Sequence, residues 1–332
     1  MSRNHPREHG SELFIGLDVG GSKVLAAEID ADGHLVTTAL RITPGRRVPV
    51  PLVEDALTEA VDEVAAGRPI SGVGLAAAGF VDAAGERVMF APHLPWRSDP
   101  TRSRLEARWG VPVAMDNDAN CAARAELALG AAAGTQSALM ITLGTGIGGG
   151  LIVDGKLRRG RNGMSGEFGH MQVVPDGHPC ECGRAGCWEQ YASGNALVRY
   201  ARSRLDSPSY TQQTSLEEAC GGLPEQLTGP MIAEAGRAGD RLAQRAFTVV
   251  GEWLGVGIAN LVAAFDPEVV VVGGGVSAAG DLLLDPARAA LRDSLVAASE
   301  REIPDVVPAR FGPEAGVVGA AAMIRDAVAA RG

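Results

Sequence analysis

Residues 13–29 read LFIGLDVGGSKVLAAEI, and residues 138–153 read ALMITLGTGIGGGLIV. Each stretch is an apolar run, a glycine-rich tip and a second apolar run, the pattern of two strands joined by a tight turn. Aligning Leu17 with Leu143 superposes the two units. An Asp-Gly turn closes each, Asp32-Gly33 in the first copy and Asp154-Gly155 in the second. With 44 glycines in the chain, two such hairpins could recur by coincidence, but the matching strands and turns on both sides argue for an internal repeat. The repeat predicts an α/β fold of two facing lobes, each opening with a glycine-tipped hairpin.

Around the first copy, Leu35 to Ile42 extends the hairpin into an antiparallel meander. Residues 51–66 have helical spacing, and Ile70 to Ala77 reads as a buried strand ending at Gly79. A helix over Arg102 to Trp109 and a strand over Val111 to Met115 lead into Asp116-Asn117-Asp118-Ala119-Asn120. The helix that follows, 119–132, puts Asp118 near its N-terminus, where the dipole and free amides stabilise an anion. Capping explains one Asp or Asn there, not four polar groups in five residues.

Downstream of the second copy, residues 207–230 are polar and broken by prolines and glycines, as in a variable insertion. A long helix, 240–264, is stopped by Asp266-Pro267. A buried strand, 268–272, then leads into Gly273-Gly274-Gly275. The last helix, 316–330, begins with small residues and calls for close packing.

Glycines at a hairpin tip let backbone amides turn toward an anion. Three places qualify: Gly20-Gly21-Ser22-Lys23, Gly144-Thr145-Gly146 and Gly273-Gly274-Gly275. None matches a P-loop, which disfavours the folds built on one. Together they suggest a nucleotide held between lobes, with Asp18 reaching the phosphates through Mg2+. Lys23 either pairs with phosphate or covers a surface.

The stretch from Gly163 to Glu189, GMSGEFGHMQVVPDGHPCECGRAGCWE, gathers Cys180, Cys182 and Cys187 in one short loop. His170 stands at the start of the alternating run 171–174, so a short strand would bring the cysteines back to it. Three thiolates and an imidazole make a closed tetrahedral zinc shell with no position for a catalytic water. The same donors suit iron or copper, and clustered buried cysteines or a disulfide are the alternatives. Glu167 and Glu189 bracket the donors without being needed to complete the shell. They suggest a rigid polar wall for a small hydroxylated ligand.

At 332 residues the chain is long for one core. Its 46% hydrophobic and 21% charged content is that of a soluble globular protein, and a net charge of -10 argues against a nucleic-acid surface. The basic run Lys156, Arg158, Arg159 and Arg161 reads as a solvated loop or as a means of steering a phosphorylated substrate. Five cysteines, three of them in the cluster, suit a reducing cytoplasm. Met1 to Gly10 lacks an apolar core, so a disordered tail is expected there and not a signal or anchor. The apolar run 246–265 carries Glu252 and Asn260 and reads as a buried helix, with no membrane partner.

The set DVGGSK, NDAN, LGTGIGGG, GEFGH, CECGRAGCWE and GGGVS resembles, in order and spacing, the sugar kinases of the repressor, open reading frame and kinase (ROK) family, and most of all their bacterial glucokinases. The likeness runs from about Leu13 into the last helix. It implies an actin/hexokinase-like fold of two lobes on ribonuclease-H-like sheets with a cleft between. The lobes would be 11–118, completed by 316–330, and 119–315. By that resemblance Asp118 is the general base, and Asn117, Glu167, His170 and Glu189 bind sugar hydroxyls, with Gly79 contributing backbone. His170 would put one nitrogen on zinc and turn its ring edge to the sugar. ATP would lie on Gly20 to Lys23, Gly144 to Gly146, Gly274 and Gly275, and would phosphorylate glucose at its 6-hydroxyl. Residues 91–96 depart from the family's commoner asparagine by carrying His93, and Ser22 replaces a more usual threonine. N-acetylglucosamine, N-acetylmannosamine, mannose and fructose kinases share most of these motifs, and relatives can use polyphosphate as donor. The family also contains sugar-responsive repressors, which carry a helix-turn-helix that Met1 to Gly10 is too short to supply. A homodimer or dimer of dimers is a further expectation of the resemblance.

Overall fold

The protein is described by a computed structural model covering residues 12–207, 209–210 and 212–331, so the expected tail at 1–10 lies outside the described residues. The chain divides into two compact units. One comprises the chain up to Ala125, Arg161–Met164 and the chain from Gly316 on; the other comprises Glu126–Gly160 and Ser165–Ala315. The division falls inside the helix after Asp116-Asn117 and not at its start.

In the first unit the elements are β1 (Phe14–Val19), β2 (Lys23–Ile29), β3 (Leu35–Ile42), α1 (Val50–Ala65), β4 (Gly72–Ala77), β5 (Phe80–Val81), β6 (Val88–Phe90), α2 (Thr101–Trp109) and β7 (Val113–Asn117). The start of α3 (Asp118–Leu129) follows, and α10 (Ala315–Ala329) returns from the far end of the chain. The sheet order is β3-β2-β1-β4-β7. The first three strands are antiparallel, and β4 and β7 continue parallel to β1.

Alternation along β1 decides what each face packs against. Ile15, Leu17 and Val19 join Leu57 and Val61 of α1 in a buried core. Gly16 points the other way, onto the backbone of α10: a Cβ there would stand 2.1 Å from the Val317 carbonyl oxygen, and one at Gly74 on β4 would stand 1.8 Å from that of Ala320. Only glycine lets a helix lie this close to a sheet. The small residues at the start of the last helix therefore serve the packing that the sequence called for.

The second unit repeats the plan with β8 (Ala138–Leu143), β9 (Ile147–Val153), β10 (Lys156–Leu157), α4 (Glu189–Ala192), α5 (Gly194–Leu205), α6 (Leu216–Ala219), α7 (Gly229–Arg237), α8 (Arg241–Phe265), β11 (Val269–Gly273), α9 (Asp281–Ser294) and β12 (Asp305–Pro308). Its sheet order is β10-β9-β8-β11-β12, again three antiparallel strands followed by two parallel ones. The two sheets share one connectivity, which is the physical content of the repeat seen in the sequence.

Helix α8 is long and apolar enough to cross a membrane by length and composition. Its Leu254, Ile258 and Val262 are instead buried in the core with Leu139, Ile141, Val270 and Val272. Asp240 caps it by accepting the Ala243 amide at 3.0 Å, and Asp266 ends it in the left-handed region at φ 47°.

Candidate active site

In the first unit the site residues gather where β1, β4 and β7 end. Asp18 shares the face of Gly16, so it too points at α10, and a Cβ at Gly316 would stand 2.6 Å from Asp18 Oδ2. Burial pushes the Asp18 carboxyl up to about 7; the Asp118 carboxylate adds to the shift and the Lys23 ammonium opposes it. A divalent cation at this carboxylate would relieve both the desolvation and the repulsion.

The tip that follows is closed by the Gly20 amide donating to the Lys23 carbonyl at 3.0 Å. Thr43, just past β3, braces it: its hydroxyl donates to the Gly20 carbonyl at 2.8 Å and its amide to the Ser22 carbonyl at 3.1 Å. Ser22 and Lys23 stay exposed. Nothing in the sequence marked Thr43, whose role depends on the pairing of β2 with β3.

At the end of β7, Asn117 is the cap of α3. Its Oδ1 accepts the amides of Ala119 at 2.9 Å and Asn120 at 3.1 Å. Its Nδ2 donates both to the Gly79 carbonyl at 3.0 Å and to Asp118 Oδ1 at 2.9 Å. Buried Asp116 accepts the Asn117 amide and the Asn120 side chain from behind. Asp118 therefore starts the helix without having to cap it. Its Oδ1 also accepts the Ala119 amide, while Oδ2 accepts no hydrogen bond from another described residue. Asp118 keeps some solvent contact although protein surrounds it closely, and burial raises its carboxyl above the ordinary aspartate range despite those hydrogen bonds.

The second unit holds the remaining candidates. The Gly144 amide donates to the Gly146 carbonyl at 3.1 Å to form the β8–β9 tip, and the Gly144 carbonyl accepts the Gly194 amide at the start of α5 at 2.9 Å. Gly274, at φ 84°, lies against the Leu143 backbone, so the third glycine turn is built against the second hairpin. Gly275 and Thr145 are exposed beside them.

His170, Cys180, Cys182 and Cys187 bring their donor atoms within 4.8 Å of one another. Cys182 Sγ and Cys187 Sγ are 3.6 Å apart, and Cys180 Sγ lies 3.8 Å from His170 Nδ1. A tetrahedral zinc with Zn–S bonds of about 2.3 Å has an S···S edge of about 3.8 Å, so the donor set fits such an ion. The cysteines are free thiols. Burial pushes the Cys180 thiol up to about 12 and raises that of Cys187. At Cys182 burial is outweighed by the Arg184 amide and the neighbouring thiols, and its thiol falls below the ordinary range. A cation would reverse the penalty on the buried pair.

The expected strand over 171–174 does not form. His170 closes a short 3-10 turn, Phe168–His170, and only Gln172 makes an isolated bridge, to Cys187. The Val173 and Val174 amides both donate to the Gly186 carbonyl, at 2.8 and 3.2 Å. That bridge does what the strand was expected to do. Alternation over four residues is too short a signal to separate the two arrangements.

Glu189, the first residue of α4, joins the cluster to the second hairpin. Its Oε1 accepts from Cys180 Sγ at 3.0 Å and lies 3.6 Å from His170 Nδ1, and its Oε2 accepts the Ile147 amide at 3.4 Å. A Cβ at Gly146 would stand 2.4 Å from that Oε2. Glu167 Oε2 lies 3.9 Å from His170 Nε2, on the other side of the ring. One imidazole thus faces the thiols through one nitrogen and a carboxylate through the other.

Two units that share one sheet order, each opening with a glycine-tipped hairpin, define the actin/hexokinase-like class of two-lobed α/β folds. Within that class the chain belongs to the ROK family, whose model matches residues 14–327. It is 43% identical over 319 residues to the glucokinase of Streptomyces coelicolor, covering 95% of this chain and 98% of that one. A ROK family glucokinase from Streptomyces griseus, solved in complex with glucose and AMPPNP, matches with a TM-score of 0.86 at 43% identity, covering 95% of this chain and 99% of that one. The xylose repressor of Bacillus subtilis is 27% identical over 317 residues, covering 94% of this chain and 77% of its own length.

Proposed function

We propose that this protein is a glucokinase that transfers the γ-phosphoryl group of ATP to the 6-hydroxyl of glucose. The observation that carries the reading is the division of labour between Asn117 and Asp118. Asn117 caps α3 and ties Asp118 Oδ1 to the Gly79 carbonyl, while Asp118 Oδ2 accepts no hydrogen bond from another described residue. A carboxylate held in one orientation with one oxygen uncommitted, and with its proton affinity raised, is suited to accept a hydroxyl proton.

Phosphoryl transfer asks the protein for position and charge neutralisation more than for covalent chemistry. Asp118 takes the 6-hydroxyl proton as that oxygen attacks phosphorus. Gly79 and Asn117 from the first unit, and Glu167, His170 and Glu189 from the second, bind the other hydroxyls. Gly20, Gly21, Ser22 and Lys23, with Gly144, Thr145, Gly146, Gly274 and Gly275, bind the nucleotide. Asp18 holds Mg2+, which would supply charge neutralisation at the phosphates.

Zinc on His170, Cys180, Cys182 and Cys187 belongs to the same proposal as a structural ion. Its donors are all protein groups, and Glu189 and Glu167 border the cluster without belonging to it. The cysteines are unpaired, which suits a reducing compartment, and a cytoplasmic location belongs to the same proposal. A homodimer or a dimer of dimers completes the reading.

A coupled assay over a panel of hexoses, with ATP and polyphosphate as donors, tests it. Glucose with ATP should give the highest kcat/KM. A tenfold preference for N-acetylglucosamine, N-acetylmannosamine, mannose or fructose, or turnover of none, would overturn the glucose assignment.

A further inference from the structure

The segment after β6 touches both ends of the first unit's share of the site. At one end a Cβ on Gly79 would stand 2.7 Å from the Phe90 carbonyl oxygen and 2.9 Å from Ala91 Cβ. At the other end a Cβ on Gly21 would stand 2.5 Å from His93 Cβ and 3.1 Å from its Cγ. Gly79 is the residue assigned to the sugar, and Gly21 belongs to the tip assigned to the phosphates. The oxygen that attacks and the phosphorus that is attacked have to meet between those two assignments, so a side chain at the Gly21 end of this segment reaches the phosphoryl side of the reaction.

The segment is rigid where it needs to be. Leu94 and Trp96 are fully buried. Arg97 donates to the carbonyls of Ala91, Leu94 and Trp96, at 2.8, 2.8 and 2.5 Å, and its guanidinium lies 4.7 Å from the Phe90 ring centroid. His93 alone in this stretch has no structural task to explain it. Its side chain is exposed, and among the described residues its ring makes no hydrogen bond or ion pair. An imidazole fixed through Cβ against a glycine, with a ring nitrogen to donate, is a hydrogen-bond donor held in readiness.

We infer that His93 is a phosphate-binding residue of this kinase, donating a hydrogen bond from its ring to an oxygen of the phosphoryl group as it passes from nucleotide to sugar. The inference rests on the kinase reading above. No covalent bond is made or broken at His93; its hydrogen bond stabilises the oxygens of the transferring group and then holds the sugar phosphate. Glucose itself, which lacks the phosphoryl group, gains nothing from it.

The test compares wild type, His93→Ala and His93→Gln in the full-length protein, each checked for an unchanged melting temperature. Calorimetry measures glucose and glucose 6-phosphate binding, and the coupled assay measures kcat. A hydrogen bond to a charged group is worth about tenfold or more in affinity. His93→Ala should therefore weaken glucose 6-phosphate by about tenfold, leave glucose within about twofold, and lower kcat about tenfold. His93→Gln, which keeps a donor, should recover most of both losses. Equal weakening of both ligands would place His93 on the sugar and overturn the inference, as would no change in either, or a glutamine variant no better than alanine. A wild-type protein that binds glucose 6-phosphate no better than its own alanine variant also defeats it. A wild type inactive on glucose sinks the kinase reading instead, and that outcome is visible before any variant is made.

Discussion

Replacing Asp18 with asparagine should make the protein more stable and inactive at once. The Asp18 carboxyl is raised from 3.8 to about 7, first by burial and then by the Asp118 carboxylate. Below pH 4 the group is protonated in both folded and unfolded chains and contributes no penalty. Between pH 4 and 7 the unfolded chain ionises while the folded one resists, so the stability this group lends falls as pH rises through that window. Above pH 7 the penalty is complete. That rise, from 3.8 to about 7, corresponds to at most about 4 kcal/mol. Asp18 is only half-buried, and solvent screening reduces this to about 2 kcal/mol.

For a unit of this size, each kcal/mol moves the melting temperature by about 2–4 °C. Asp18→Asn should then melt about 4–8 °C above wild type at pH 8, and within about 2 °C of it near pH 4.5. Scanning calorimetry in buffer free of Mg2+ reads this directly; a chelator is avoided because it would also strip the zinc proposed at the cysteine cluster. Adding Mg2+ and ATP should raise the wild type and close the gap, since only aspartate can hold the ion. A variant that melts at or below wild type at pH 8, or an offset that does not change with pH, would refute the account. The trade of stability for a charge that function needs is the general pattern at active sites.

Three further outcomes are expected. Asp118→Asn should leave glucose affinity within a few-fold and lower kcat by roughly a hundredfold to ten-thousandfold, the range for a lost general base; near-normal turnover would reduce Asp118 to a residue of the helix start. Elemental analysis should find one zinc per chain, and Cys182→Ala should raise the KM for glucose and lower kcat, because Glu189 and His170 lose their shared support, with the KM for ATP much less affected. Zinc missing from active, reduced protein would remove the site, and a strong change of turnover on cobalt or cadmium exchange would show the ion to be catalytic. Sedimentation should show a dimer or tetramer. Because most of the apolar side of α8 is already buried in the core, the contact has to use other surface, and a monomer at all working concentrations would end the expectation.

What could be read from the sequence, and what could not, follows from the range of the interactions involved. The two hairpins were legible because alternation and glycine tips are local signals, and because the chain states them twice: each opens a sheet of the same strand order, with Leu143 at the end of β8 and Leu17 two residues before the end of β1. The cysteine cluster was legible because thiols are few and their donors lie close in the chain. Strand β12 was not, since Asp305-Val306-Val307-Pro308 carries only two apolar residues at a sheet edge and gains its identity from β11. Thr43 was missed for the same reason, as it acts on a group far away in sequence, the Gly20 carbonyl.

The case of Asn117 and Asp118 shows how far such a reading goes. The sequence says that four polar groups in five residues exceed what a helix start requires, which identifies a surplus without saying which residue it is. Only the structure assigns the capping to Asn117 through its Oδ1, and with it the bond from Nδ2 to the Gly79 carbonyl. Were Asp118 the cap, its carboxylate would be drawn to the helix amides as Asn117 Oδ1 is, its proton affinity would fall, and the same five residues would make a poorer base. One residue's difference in where the helix begins therefore separates an aspartate occupied with capping from one free to serve as the proposed base, and that difference is smaller than the precision with which helix ends can be read from sequence.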